Sequence, residues 1–250
     1  MIFILFIFGL CIGSFLNVLA QRLPRREDVI KSRSHCDFCS HTLCWYELIP
    51  LVSFVLQKGK TRCCHHRLSL RYPLTELVTG IGFVILSFFH EPLTINYILS
   101  LVLFSSFFVI FLSDLAYEII PIEMIIVGFF AACVQLLLSS LSIPFILPHI
   151  LSGIGAGLFF FALWFFTKGK AMGDGDMYLS ALIGFLLGYP KIILSLYGSF
   201  LTGAVVGIIL VLGQKRSLKA HIPFGPFLIL GYTISLLWGD TLLRIWRTVW

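Results

Sequence analysis

The sequence predicts an all-α polytopic membrane protein with about eight transmembrane helices and one cytoplasmic loop that holds most of the cysteines. Of the 250 residues, 58% are hydrophobic and 12% are charged, whereas soluble domains average about 45–50% and about 25%. The mean hydropathy is +0.98. Apolar runs recur near the length of about 20 residues that a helix needs to cross a bilayer. These observations exclude a soluble globular enzyme, a disordered chain and a disulfide-stapled secreted domain.

Eight apolar segments define the predicted helices. They cover residues 2–20, 73–89, 95–113, 122–141, 146–166, 177–188, 192–213 and 224–238. The first segment runs into a basic stretch without a small-residue cleavage site, so we predict a retained span and not a removed signal peptide. The sixth segment is short, and we expect a half-buried or continuing helix there.

The basic residues predict the orientation. With the N-terminus outside, 15 of the 18 Lys and Arg residues fall in the inner loops, and only Lys191, Arg244 and Arg247 lie outside. The positive-inside rule therefore favours outer N- and C-termini. Ten of these basic residues lie between Arg22 and Arg71, and no basic stripe alternates with exposed aromatic residues. We therefore expect the lipid bilayer, and no nucleic acid, as a partner of this basic chain.

The loop over residues 21–72 has the sequence features of a metal site. It contains five of the seven cysteines, namely Cys36, Cys39, Cys44, Cys63 and Cys64. Cytoplasmic thiols stay reduced, and the C-x-x-C spacing of Cys36 and Cys39 suits two ligands of a tetrahedral zinc ion. A second ligand pair should follow, and the candidates for it are Cys63, Cys64, His65 and His66. The alternative is a set of free thiols in a loop held by other contacts.

Two acidic residues mark the ends of predicted spans. Asp114 follows the third segment and Asp176 precedes the sixth, so the predicted topology brings both to the same inner face. Ionisable groups near a membrane indicate function. One interpretation is a carboxylate pair that shares a proton and activates water for peptide hydrolysis. The others are a cation or solute transporter site, and plain interfacial charges or helix N-caps, for which Asp176 is well placed.

Glycines surround the second acid in the sequence Gly173-Asp174-Gly175-Asp176. Glycine permits backbone conformations and close approaches that other residues forbid. Gly173 and Gly175 are therefore candidate substrate-binding residues, because an extended peptide can lie against such a backbone in the manner of an added strand. The alternative is an ordinary loop that enters a helix.

Several blocks of the chain are similar to the type IV prepilin peptidases, bacterial membrane aspartic endopeptidases with a G-x-G-D motif. The similar blocks are 13–18 with 22–24, 32–39, 45–50, 69–73 with Glu76, 114–121 and 173–176. The resemblance implies that Asp114 and Asp176 share the attacking water. It also implies cleavage of the leader peptide of type IV pilin-like precursors, after a Gly and before a hydrophobic stem. The expected location is the cytoplasmic face of the bacterial cytoplasmic membrane.

The resemblance also implies a domain division and a second activity. The division is a first helix (1–20), a cytoplasmic subdomain (21–72), a transmembrane peptidase domain (73–240) and an interfacial tail (241–250). Many relatives methylate the new N-terminus with S-adenosylmethionine, and Glu47 and Glu76 are the acids to test for that reaction. The alternative role of these two acids is pairing with the Arg and Lys side chains of the loop.

Two positions depart from the family pattern. Tyr178 stands where the family often has a Lys, and Thr61 stands where the second C-x-x-C pair would begin. Threonine supplies no thiolate. The resemblance therefore implies Cys36, Cys39 and Cys64 as zinc ligands, with Cys63 as a candidate for the fourth. The alternatives are a His as the fourth ligand, or the loss of a full zinc site in this chain.

Overall fold

A computed structural model describes residues 1–29, 34–36, 38–139, 141–170, 172–213 and 222–249. Within those ranges it contains α-helices, a 3₁₀ turn at Trp45–Leu48 and isolated bridges, but no strand. The helices are α1 (Ile2–Arg25), α2 (Val52–Leu56), α3 (Arg71–Phe89), α4 (Ile95–Tyr117), α5 (Ile122–Ser139), α6 (Ile143–Thr167), α7 (Asp174–Leu187), α8 (Lys191–Leu212) and α9 (Gly225–Val249). The all-α prediction is confirmed. Ser32, Arg33, Asp37 and Trp250, which belong to predicted motifs or segments, lie outside the described residues.

Seven described helices are long and apolar enough to cross a membrane: α1, α3, α4, α5, α6, α8 and α9. They correspond to seven of the eight predicted segments, and the short sixth segment is the 14-residue α7. The chain is therefore a polytopic membrane protein. Helix α9 runs on through the predicted tail to Val249.

The first compact unit comprises residues 1–109. Helices α1 and α3 pack closely in it, because α1 carries glycine at the points of contact. A Cβ added to Gly9 would lie 2.7 Å from Gly80 Cα, and one added to Gly13 would lie 2.7 Å from Glu76 Cα. Small residues bring membrane helices together in this way. An apolar cluster that includes Phe83 completes the contact.

The second compact unit comprises residues 110–250, and α7 is its central helix. Helix α7 contacts α5, α6, α8 and α9. Its residues Leu179, Leu182 and Ile183 have no exposed surface. Gly184 of α7 approaches the backbone of Ser152 on α6 so closely that a Cβ would clash. A helix that is apolar all round and enclosed by others gives its first turn a fixed position.

Candidate active site

Asp114 lies in the last turn of α4 and is buried, with 5% of its surface exposed. Its Oδ2 accepts a hydrogen bond of 2.9 Å from the backbone N–H of Gly225. Gly225 is the first residue of α9, so the carboxylate lies at a helix N-terminus, where negative charge is favoured. A Cβ on Gly225 would lie 2.7 Å from the same oxygen. A side chain at this position would therefore have to displace the Asp114 carboxylate.

Asp176 is the third residue of α7 and is also 5% exposed. Its Oδ2 accepts a 3.2 Å hydrogen bond from the backbone N–H of Gly173, which is the N-cap of the helix. The interpretation of Asp176 as an N-cap is therefore wrong, because α7 begins at Asp174, earlier than predicted. Its Oδ1 is buried, and no group among the described residues donates a hydrogen bond to it. A buried acceptor without a donor is costly.

The two carboxylates are near enough to influence each other. Burial raises the pKa of Asp176, and the negative charge of Asp114 raises it further, while the Gly173 N–H acts in the opposite direction. Asp176 lies outside the seven candidate spans. Two interacting carboxyl groups of this kind titrate as a pair and hold one proton over a range of pH. Such a pair provides an acid and a base together.

The loop after Asp114 is fixed against the start of α7. The Ser113 hydroxyl donates a 2.8 Å hydrogen bond to the Ile119 carbonyl. A Cβ on Gly175 would lie 2.7 Å from the Cβ of Ile120, so only glycine allows this approach. A Cβ on Gly173 would meet nothing nearer than 3.6 Å. The two motif glycines therefore differ: Gly175 is required by packing, and Gly173 supplies a backbone donor.

Gly225 and Ile120 were not among the predicted site residues. The only signal for Gly225 is the Gly225-Pro226 pair at the start of a helix. Proline in the first turn of a helix is ordinary, so the pair indicates a helix start and nothing about its neighbours.

The cysteine cluster lies in the first compact unit. The sulfur atoms of Cys36, Cys39, Cys63 and Cys64 all lie within 4.8 Å of one another. The Cys36 and Cys64 sulfurs are 3.8 Å apart and the Cys39 and Cys63 sulfurs 3.2 Å apart. Tetrahedral zinc–thiolate bonds of about 2.3 Å require sulfur separations of about 3.8 Å. The four thiols, with Cys63 among them, could therefore hold a zinc ion.

The acids considered for methylation have backbone partners. Glu47 Oε2 accepts a 2.8 Å hydrogen bond from the N–H of Cys44, and Glu76 Oε2 accepts one of 2.8 Å from the N–H of Leu51. Among the ion pairs of the described residues, neither acid takes part. Within the part of the loop that the structure describes, backbone N–H groups and not Arg or Lys side chains are the partners of these two carboxylates.

Comparisons with known proteins find relatives over most of the chain. The Bacterial Peptidase A24 N-terminal domain matches residues 7–90, and the Type IV leader peptidase family matches residues 101–208. The prepilin leader peptidase/N-methyltransferase of Bacillus subtilis (strain 168) is 33% identical over 246 residues, which are 98% of each chain. The protein of that name in Myxococcus xanthus (strain DK1622) is 35% identical, over 85% of this chain and 64% of its own. That of Aeromonas salmonicida (strain A449) is 31% identical, over 96% and 92%. No solved structure matches the chain.

A helical polytopic chain with two buried, interacting aspartates in one packed unit has the features of a membrane aspartic peptidase. The chain belongs to the Type IV leader peptidase family, which confirms the resemblance noted in its sequence. Family membership gives no support to the transporter alternative.

Proposed function

We propose that this protein removes the leader peptide of type IV pilin-like precursors, with Asp114 and Asp176 as the catalytic pair. The observation that carries the proposal is the pairing of two buried carboxyl groups from distant parts of the chain within one packed unit. The names of the relatives support the substrate class.

The resting proton of the pair belongs on Asp176. Burial and the negative charge of Asp114 both raise the pKa of Asp176, which favours its protonated form. Asp114 accepts the Gly225 N–H at the start of α9, which favours its ionised form. Asp114 then accepts a proton from the attacking water while Asp176 donates a hydrogen bond to the scissile carbonyl. The water oxygen bonds to the carbonyl carbon. Asp114 then passes the proton that it accepted to the leaving amine as the peptide bond breaks.

An apolar cleft on α7, whose lining begins one residue after Asp176, suits the hydrophobic stem of the substrate. The cleft has a volume of about 510 Å³ and is lined almost wholly by apolar atoms of α5, α6 and α7. Its lining includes Met177, the residue after Asp176, and continues along α7 to Phe185. We propose that the stem enters this cleft from the lipid. The scissile bond then lies where the stem meets the polar leader.

The distribution of basic residues supports an assignment of the membrane and of the orientation of the chain in it. We propose that the chain lies in the bacterial cytoplasmic membrane with its N-terminus outside, because that orientation leaves the basic loops inside. The active site then faces the cytoplasm, where leaders are made. The domain division given above is proposed on the same basis. That Gly173 and Gly175 contact substrate is proposed separately, from the G-x-G-D motif and the exposure of Gly173.

Zinc and S-adenosylmethionine are proposed as cofactors outside the proteolytic step. Cys36, Cys39, Cys63 and Cys64 would hold zinc, which would stabilise the fold of the loop subdomain. The relatives are named as N-methyltransferases, and this supports methylation of the new N-terminus as a second activity that uses S-adenosylmethionine.

Replacement of each aspartate tests the peptidase proposal. Asp114→Asn and Asp176→Asn should each slow processing of a pilin-like precursor in membranes by at least about 100-fold, because each removes a proton-transfer group. Glu123→Gln is the matched control, since Glu123 is an exposed acid in the same unit. Normal processing by either aspartate variant would overturn the proposal.

A further inference from the structure

Two turns in the cysteine cluster have the same backbone hydrogen bonds. In the first, the N–H of Cys36 donates to the His41 carbonyl at 2.8 Å and the N–H of Ser40 donates to the Cys36 carbonyl at 2.9 Å. In the second, Thr61 N–H donates to the His66 carbonyl at 2.8 Å and His65 N–H donates to the Thr61 carbonyl at 3.0 Å. The two turns are therefore copies of one motif.

Further features of the two turns coincide. Ser40 and His65 both have a φ of 55°. An isolated antiparallel bridge flanks each turn, joining His35 to Thr42 in the first and Lys60 to Arg67 in the second. The equivalent residues are separated by the same number of positions throughout, which fixes the alignment of the two turns.

This alignment shows where the second turn differs from the first. Cys39 corresponds to Cys64, and Cys36 corresponds to Thr61, so the second turn lacks its first thiol. Cys63 corresponds to Phe38, whose ring lies against that of His66, with centroids 3.5 Å apart and the planes tilted by 30°. The fourth sulfur of the cluster therefore comes from a position that serves packing in the first turn.

Thr61 nevertheless remains part of the cluster. It is buried, with 6% of its surface exposed. Its hydroxyl oxygen accepts a 3.0 Å hydrogen bond from the His66 N–H and lies 3.1 Å from Cys64 Sγ. The hydroxyl proton is then available to the sulfur. When Cys64 is a metal-bound thiolate, which only accepts hydrogen bonds, the Thr61 hydroxyl is the donor.

We propose that two equivalent turns form the metal centre of this chain. Cys63 supplies the fourth thiolate in place of the thiol missing at Thr61, and Thr61 is a positioning residue for Cys64. The proposal rests on the zinc site proposed above. Hydrogen bonds to metal-bound groups orient the ligands and tune the charge they carry. The O–H group also lessens the repulsion among four thiolates around one ion.

The test uses the full-length protein in detergent and does not depend on proteolysis. Zinc content is measured by metal analysis, and zinc affinity by competition with a chromophoric chelator. Cobalt(II) is also loaded in place of zinc, because the intensity of its thiolate-to-metal absorption increases with the number of bound sulfurs. The variants are Cys63→Ser, Thr61→Val, Thr61→Ser and the double variant Thr61→Cys/Cys63→Ser.

We expect Cys63→Ser to lose about a quarter of the absorption and to bind zinc more weakly, since one of four thiolates is removed. The double variant should restore the absorption, which also shows that the fold has been retained, but only part of the affinity, because it lacks the Thr61 hydroxyl. Thr61→Val should keep the four-sulfur absorption but bind zinc about 10- to 100-fold more weakly, and Thr61→Ser should resemble the parent.

Full absorption and affinity in Cys63→Ser would exclude Cys63 as a ligand. Parent-like affinity in Thr61→Val would exclude the positioning role. A parent protein without zinc, and without thiolate absorption after cobalt loading, would overturn both this inference and the zinc site. The peptidase proposal would stand, because it is tested separately at Asp114 and Asp176.

Discussion

The backbone N–H of Gly225 donates a 2.9 Å hydrogen bond to Oδ2 of Asp114, a residue 111 positions earlier in the chain. This bond joins the start of α9 to the end of α4. The same contact leaves no room for a side chain on residue 225, because a Cβ would lie 2.7 Å from the carboxylate oxygen. The position of one proposed catalytic group therefore depends on a glycine from a different helix.

Gly225→Ala should lower activity without unfolding the protein. The added methyl group must displace the Asp114 carboxylate, and a displacement of about 1 Å can cost about 100-fold in rate. The measurement is the rate of precursor processing in membranes, with the amount of folded protein checked by detergent extraction. Gly155→Ala is the control, since a Cβ there meets nothing within 4 Å. Equal rates for the two variants would show that the Gly225 contact is dispensable.

A second steric prediction concerns Gly175 and Ile120. Gly175→Ala brings a Cβ to 2.7 Å from the Ile120 Cβ, so it should move the first turn of α7 and reduce processing by at least about 10-fold. Ile120→Gly removes that Cβ, and the double variant should recover part of the loss. A double-mutant cycle on processing rate measures this coupling. Strictly additive effects would contradict it.

Most of the helices and both aspartates could be predicted from sequence because their signals are local. Hydropathy locates membrane helices, and Asp114 and Asp176 are conspicuous because acids at the ends of spans are rare. Gly225 and Ile120 could not be predicted, because their importance arises from contacts between distant segments. The role of Cys63 was left open for a related reason: adjacent cysteines do not follow the usual spacing, and only the folded turns bring that sulfur beside Cys39.

The raised pKa of Asp176 predicts a pH dependence. The pair is active when it holds one proton, and the raised pKa extends this state to higher pH than an ordinary aspartate would allow. As the pH increases through this pKa the proton is lost and kcat/KM should fall. Asp174 contributes to the raised value through its charge. Asp174→Asn should therefore move the alkaline limb of the pH profile to lower pH.

The control for this profile is Glu123→Gln, because Glu123 is not among the groups that shift Asp176. Its alkaline limb should coincide with that of the parent. A limb that moves to higher pH in Asp174→Asn would contradict the electrostatic account, since removal of a nearby negative charge makes deprotonation of Asp176 easier.

The cleft beside α7 predicts where the stem of the precursor is held. Met177 and Phe185 both line it, so at about 1.5 Å per residue the cleft extends about 12 Å along α7 from the residue beside Asp176. A helical stem in the cleft would contact Leu158, which is exposed and lines it. Ile126 is equally apolar and 62% exposed, but it is not part of the lining.

A photo-crosslinking amino acid at Leu158 should therefore attach to the precursor, and one at Ile126 should not. The experiment uses Asp114→Asn membranes, in which the precursor stays uncleaved, and the product is detected by its shift in gel mobility. Mass spectrometry should locate the attachment in the apolar stem, because the leader lies outside the bilayer. Equal attachment from both positions would indicate random contact in the lipid. Attachment from Ile126 alone would place the stem on another face of the second unit, while leaving the roles of the two aspartates intact.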